Sequence, residues 1–168
     1  MVRIYLKKRP GHVQWYYILF DRIIQAVSGR YIHAELEFSD GRFFSSRGEG
    51  PAWASHEEVN PQPGDWDVIP ISVTKEQEKL MVNQANIIVA GAFTKMRPAY
   101  GWRKIFFDFL PLPLVVQRPV DLICSETVTI ELQCVGLLVG YVAEGVSPTD
   151  LGSLVRMELP LWIRYQKR

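Results

Sequence analysis

Alternating apolar and polar residues on both sides of an Asp-Gly pair constrain the fold of this 168-residue chain more than any other feature. The segment, residues 31 to 50, reads YIHAELEFSDGRFFSSRGEG. Period-two alternation is typical of a β-strand with one buried face, and Asp-Gly between two such runs predicts a two-residue hairpin turn. With that pair as the turn, Glu37 lies opposite Phe44. The same register places Glu35 opposite Ser46. The polar face of the predicted hairpin then carries His33, Glu35, Glu37 and Ser46.

Further strands and helices are predicted on both sides of the hairpin. VRIYL near the N-terminus and WDVIPI, residues 66 to 71, have the composition of strands. Apolar positions three and four residues apart predict a helix over 12–28 and another over about 121–138. A capping box formed by Thr74 and Gln77 predicts a helix that runs to about Ala92.

Proline and glycine mark the remaining segments. The stretch 50–64, rich in both residues, predicts a loop. SPTDL predicts a short helix with Pro148 at its first position, and residues 155–165 predict a last strand that Pro160 interrupts. Helices and strands are mixed without a regular βαβ rhythm, which predicts an α+β fold with a mostly antiparallel sheet. The length predicts a single domain over 1–168.

Composition excludes several classes of partner. The formal net charge is +1, so nothing indicates binding to nucleic acid. No uninterrupted apolar run of about 18 residues marks a membrane span, and no basic-then-apolar segment marks a secretion signal.

Cys124 and Cys134, if both lie on one helix, are separated by about 15 Å, too far for a disulfide. Two unpaired thiols favour a reducing compartment, and we expect a cytoplasmic protein.

Cys124 is the candidate nucleophile. It stands where the apolar run LIC becomes helical, and a helix N-terminus favours a thiolate and offers backbone N–H groups to an oxyanion. The alternative is that Cys124 only packs as a small apolar residue. Cys134 lies deeper in the same apolar pattern and is predicted to be in the core.

His33 on the polar face of the hairpin is the candidate base. A cysteine nucleophile needs such a base and a third group that orients it, which Glu35 or Ser46 can supply. The alternative is that His33 and Glu35 are solvated strand positions. Residue types and spacing alone leave both interpretations open.

A family resemblance favours catalysis. GRYIHAELEFSDGRFFSSR, AYGWRKIFFDFL, LICSETVTIEL and SPTDL occur in this order from about residue 15 to 152. The order resembles the circularly permuted branch of the NlpC/P60 papain-like superfamily, in which the strand histidine precedes the cysteine helix. The resemblance implies a sheet packed against the helix of Cys124, with His33 beside the thiol. Glu35 is then the first choice for the orienting residue and Ser46 the second.

The resemblance also implies a class of reaction. It indicates a thiol hydrolase, a peptidase or amidase, acting on a peptide, amide or acyl substrate without a metal or an organic cofactor. Tyr100, Trp102 and Ser125 are candidates for substrate contacts. Two alternatives remain: acyl transfer to or from a lipid or thioester, with 105–116 as a membrane-contacting segment, and a non-catalytic binding protein that keeps the fold.

Overall fold

The computed structural model describes residues 1–8, 29–47, 50–92 and 122–166, which form five strands and four helices. The strands are β1 (Val2–Lys7), β2 (His33–Glu37), β3 (Phe43–Arg47), β4 (Gly50–Ala54) and β5 (Trp66–Ile71). The helices are α1 (His56–Val59), α2 (Lys75–Ala92), α3 (Cys124–Gln133) and α4 (Pro148–Gln166).

The described strands form one antiparallel sheet in the order β4-β3-β2-β1-β5. The predicted α+β class and antiparallel sheet are therefore confirmed, as are the strands at VRIYL and WDVIPI. The N-terminal strand β1 lies between β2 and β5. It pairs along its whole length with β5 and over five residues with β2.

The hairpin between β2 and β3 differs from its predicted register by one residue. Glu37 pairs with Phe43 rather than with Phe44. The loop has three residues, and Gly41 at its last position has φ of +83°. A three-residue hairpin loop places an αL residue there, which glycine adopts without steric cost. The change of register puts Ser46 on the face opposite to Glu35, because side chains alternate along a strand.

The main core lies between one face of the sheet and helices α2, α3 and α4. Alternate strand residues point into it, because every second side chain shares a face. Sheet residues that contribute are Ile4, Leu6, Leu36, Phe44 and Ile71, and helix residues are Val128, Leu132, Leu151 and Val155. A smaller cluster on the other face consists of Tyr5, Phe43 and Ala54. The sheet is thus partly covered on both faces.

Helix α4 replaces the strand predicted over residues 155–165. Its first turn agrees with the prediction: Asp150 N–H donates to Ser147 Oγ at 3.1 Å, and Pro148 is the first helical residue. The helix continues through Pro160, although proline cannot donate the backbone hydrogen bond at that position. Leu151, Val155 and Trp162 are buried at helical spacing. Packing of this apolar face outweighs the local signal from proline.

Three other predictions are corrected and two are confirmed. The stretch 50–64 contains β4 and α1 and is not only a loop. Helix α3 ends at Gln133, before the expected 138, and positive φ angles follow at Gly136 and Leu138. Cys134 is exposed rather than in the core, while both cysteines are unpaired as expected. The capping box of α2 is present, since Gln77 N–H donates to Thr74 Oγ1 at 3.1 Å. The helix expected over 12–28 lies outside the described residues.

Within the described ranges, no helix combines the length and apolar composition that crossing a bilayer requires.

Glu131 of α3 generates a prediction about stability. Its side chain is fully buried, its oxygens have no hydrogen-bond partner in the described part of the chain, and burial raises its pKa to about 8. The folded protein therefore holds a proton that the unfolded chain releases near pH 4, so stability falls as pH rises between about 4 and 8. We expect Glu131→Gln to remove this loss and to exceed the wild type in free energy of unfolding increasingly from pH 5 to pH 8.

Urea denaturation at several pH values measures this difference, with Glu76→Gln on the exposed surface of α2 as the matched control. A Glu131→Gln variant whose difference from wild type is constant with pH would contradict the assignment of a neutral buried carboxyl group.

Gly152 of α4 lets this helix approach β1 closely. A Cβ atom there would lie 2.8 Å from Leu6 Cδ1 and 3.0 Å from Tyr31 Cε2. We expect Gly152→Ala to lower the free energy of unfolding by about 1–3 kcal/mol, because overpacking outweighs the better helix propensity of alanine. Gly91→Ala in α2, where a Cβ atom meets nothing within 4 Å, is the matched control and should not destabilise the protein. Urea denaturation of the two variants tests this expectation.

Candidate active site

Cys124 and His33 lie at the ends of two packed elements. Cys124 is the first residue of α3 and His33 is the first residue of β2. Helix α3 packs on β2 and β3. This packing brings together two residues that are far apart in the sequence, and the thiol and the imidazole are close enough for each to shift the pKa of the other. Cys124 is 2% exposed, whereas the side chain of His33 is 21% exposed.

Glu35 holds the other side of the imidazole. His33 Nε2–H donates to Glu35 Oε1 at 2.8 Å. Because Nε2 is engaged in this way, Nδ1 is the ring nitrogen left for the sulfur. The structure thus orders a thiol, an imidazole and a carboxylate in a row.

The charges of the thiol and the imidazole stabilise each other. Burial favours the neutral thiol, but the His33 charge, its hydrogen bond and the backbone N–H of Ala34 together lower the pKa of Cys124. Burial alone would lower the His33 pKa; the Cys124 thiolate and then Glu35 outweigh it and raise that pKa to about 10. The two shifts favour a thiolate–imidazolium pair at neutral pH.

Glu35 is itself fixed as an anion. Its side chain is 4% exposed, and Arg47 Nη2 donates to Oε2 at 2.9 Å while His33 occupies Oε1. Burial acts to raise the carboxyl pKa, but hydrogen bonds and charges from His33 and Arg47 lower it. A buried carboxylate with two cationic partners is a stable orienting group for an imidazolium.

The backbone of Ala34 links the surroundings of Cys124 to β3. Its N–H contributes to the lowered pKa of Cys124, and its carbonyl accepts from Ser45 Oγ at 2.6 Å. The paired residues of β2 and β3 are those nearest the hairpin loop. Ala34 pairs with Leu6 of β1 but has no paired residue in β3, so on the β3 side its backbone is left for side chains.

The start of α3 is held by Glu126 rather than by its N-cap residue. Ile123, at the N-cap, has no side-chain acceptor. Glu126 Oε2 accepts from Ile123 N–H at 3.1 Å, and Oε1 accepts from Gly145 N–H at 2.8 Å. Among the described residues, no side chain caps the first-turn N–H groups of Cys124 and Ser125, so both remain available as hydrogen-bond donors beside the sulfur.

The structure separates the two serines of the predicted site from the imidazole. Ser46 Oγ donates to the Leu122 carbonyl at 2.7 Å, so Ser46 anchors the segment that enters α3 and does not orient His33. Ser125 is fully buried and its Oγ donates to the Val146 carbonyl at 2.5 Å. The sequence predicts that Ser125 contacts the substrate, whereas in the structure its hydroxyl is bonded within the protein. Tyr100 and Trp102 lie outside the described residues.

Sequence reasoning missed four residues that support the site. Arg47 and Ser45 become visible only when the hairpin register is known. Glu126 had a signal in the sequence, because a glutamate three residues after the N-cap position is half of a capping box. Trp66, whose ring lies 6.4 Å from the His33 ring, had no signal beyond its place in a strand.

Within the described ranges, no group of three or more His, Cys, Asp or Glu side chains is arranged to hold a metal ion.

Comparisons of the chain with protein-family models, with curated proteins and with solved structures give no match. The described residues define an α+β protein in which a cysteine at a helix start meets a histidine and a glutamate at the end of the central strand of an antiparallel sheet. The chemistry of this site follows from its own geometry.

The raised His33 pKa can be tested by NMR titration of the imidazole. We expect the ring to remain protonated through neutral pH and to titrate near 10. In Cys124→Ala the thiolate, the main source of the raised pKa, is absent, so the His33 pKa should fall. A wild-type ring that loses its proton between pH 6 and 7 would contradict the ion pair.

Proposed function

We propose that this protein is a thiol hydrolase that cleaves an amide or ester bond, as a peptidase or amidase does. The observation that carries the proposal is the row formed by Cys124, His33 and Glu35, with a lowered thiol pKa and a raised imidazole pKa. Covalent catalysis by cysteine requires this combination of an activated sulfur, a proton carrier and an orienting group.

The reaction begins with attack of the Cys124 thiolate on the substrate carbonyl carbon. An S–C bond forms and the carbonyl electrons move to the oxygen, which the N–H groups of Cys124 and Ser125 stabilise. The C–N or C–O bond then breaks, and the His33 imidazolium gives its proton to the leaving amine or alcohol. An acyl-enzyme and a neutral imidazole remain.

Water completes the cycle. Neutral His33 takes a proton from a water molecule as its oxygen attacks the acyl carbon, and the S–C bond breaks to release the acid and the thiolate. The imidazolium is regenerated at the same time. Glu35 keeps Nε2 directed away from the sulfur throughout and stabilises the charged ring. These steps need no metal and no organic cofactor.

The arrangement is also the basis for proposing a permuted papain-like fold. The strand that carries His33 precedes the helix that carries Cys124, and that helix packs on the sheet. This order is the one expected of the permuted NlpC/P60 branch. The order and the site support the proposal together.

Two features favour catalysis over a binding protein. Burying a thiolate and an imidazolium costs several kcal/mol in solvation, and a neutral apolar pair would fill the same space without that cost. The carboxylate of Glu35 adds a third buried charge.

Transfer of the acyl group to a lipid or thiol acceptor would use the same acyl-enzyme, but the segment expected to contact lipid, 105–116, lies outside the described residues.

Reactivity of the two cysteines tests the activated thiol. Partial desolvation of the thiol and the nearby Glu131 charge raise the pKa of Cys134 to about 11, although the residue as a whole is exposed. We expect iodoacetamide to alkylate the buried Cys124 faster than the exposed Cys134 at pH 7, and mass spectrometry of the digested protein measures both rates. His33→Ala should slow only Cys124. Faster reaction of Cys134 would overturn the proposal.

Activity is measured with ester and amide probes that carry varied acyl groups. We expect Cys124→Ala to abolish turnover and His33→Ala to lower kcat by about 10²–10⁴-fold. Glu35→Gln should lower kcat less than His33→Ala, because the imidazole remains. Cys134→Ala is the matched control and should retain wild-type activity.

A further inference from the structure

Lys7, a cation, and the aromatic ring of Trp66 lie side by side next to the catalytic histidine. Lys7 pairs with His33 across β1 and β2, and with Trp66 across β1 and β5. Residues directly opposite in an antiparallel pair have Cβ atoms about 4.5–5.5 Å apart on the same face. The three side chains therefore form one row across the sheet, and each of them is partly exposed.

Trp66 fixes the position of the ammonium group. Lys7 Nζ lies 5.7 Å from the centroid of the Trp66 ring, within the range of a cation–π interaction. The same indole meets the His33 ring edge-on at 6.4 Å, and the Tyr5 ring at 6.0 Å. The ammonium is thus held near the imidazole rather than left on a free side chain.

The carboxylates on this face are already matched by cations. Glu35 is bound by His33 and Arg47, and Glu37 accepts from Arg3 Nη1 at 2.8 Å. Lys7 forms no ion pair with the carboxylates that the structure describes. Since the thiolate and the imidazolium cancel, Lys7 leaves an excess of positive charge beside the imidazole.

Arg47 is a second cation near His33, and its charge is matched by Glu35. It is bonded to Glu35 through Nη2, while its Nε is buried and has no hydrogen-bond partner in the described part of the chain. A buried donor without an acceptor costs about 1–3 kcal/mol, so an acceptor that reaches it stabilises the site. Lys7 and Arg47 lie on either side of β2 and both belong to the surroundings of His33.

We propose that the substrate carries an anionic group, a carboxylate or a phosphate, near its scissile carbonyl, and that Lys7 on Trp66 binds this group. The inference rests on the proposed thiol hydrolysis. It gives the site a preference for anionic acyl substrates over neutral ones of the same length.

Two alkylating reagents test the preference at the sulfur. Iodoacetate and iodoacetamide both form an S–C bond and release iodide, and both need the thiolate, but only iodoacetate is an anion. The ratio of their rates at Cys124 therefore reports the local potential and not the thiol pKa. We expect Lys7→Gln to lower this ratio by about fivefold, as for a unit charge at about 4 Å in water.

Salt and a control lysine make the measurement specific. At 1 M salt the screening length is about 3 Å, so the wild-type ratio should fall towards that of Lys7→Gln. Lys75→Gln removes the same charge from an exposed position after the far end of β5, and its ratio should equal that of the wild type. An unchanged ratio in Lys7→Gln would overturn the proposal.

Substrate pairs test the same preference in turnover. For 4-nitrophenyl hemisuccinate we expect a KM about fivefold higher in Lys7→Gln than in the wild type, while the KM for 4-nitrophenyl butyrate stays unchanged. Equal effects on both esters would overturn the anionic preference and leave the hydrolase in place. Hydrolysis of neither ester at Cys124 would count against the proposed function.

A binding experiment without turnover separates failure of the anionic preference from failure of the proposed hydrolase function. Titration with sodium succinate, and separately with inorganic phosphate, should shift the indole N–H signal of Trp66, assigned by its loss in Trp66→Phe. The response should weaken in Lys7→Gln and persist in Lys75→Gln. A response to succinate alone identifies a carboxylate, and a response to phosphate alone identifies a phosphate. No response to either anion would overturn the inference whatever the activity.

Discussion

The electrostatic pairing of Cys124 with His33 is the interaction on which the site depends. A thiolate and an imidazolium lose most of their hydration when they are buried, and each is stable there only because the other is adjacent. Removing either charge would leave the other uncompensated. The other residues of the site hold the two groups together at the end of the central strand β2.

Several polar contacts share this task, and each fixes a different element. Glu35 holds the imidazole, and Arg47 holds Glu35. Ser46 attaches the entrance of α3 to β3, and Ser125 attaches its first turn to the chain at Val146. The serines are thus structural supports of a site whose thiol and imidazole are held by other residues. Buried hydroxyls that bond to backbone carbonyls satisfy their own hydrogen-bonding needs.

The predictions that agree with the structure depended on patterns that short segments carry by themselves. Alternation and strand composition identified β1, β2, β3 and β5, and capping residues identified the starts of α2 and α4. The errors arose where distant contacts decide. Pro160 indicated the end of regular structure, but the apolar face of α4 buries Val155 and Trp162 and keeps the helix intact across the proline. Cys134 follows an apolar run, yet α3 ends before it and leaves it exposed.

The sequence by itself determined the candidates: a cysteine at a helix start, and a histidine with a glutamate two residues later on a strand. Residue types and local periodicity are enough for that, because the first turn of a helix and the alternation of a strand are local properties. Only the tertiary structure decided between Glu35 and Ser46. The choice followed from a three-residue loop in place of a two-residue turn, which moved Ser46 to the other face of the sheet. Packing and turn geometry together set the register of a hairpin, and packing depends on contacts between segments that are distant in the sequence.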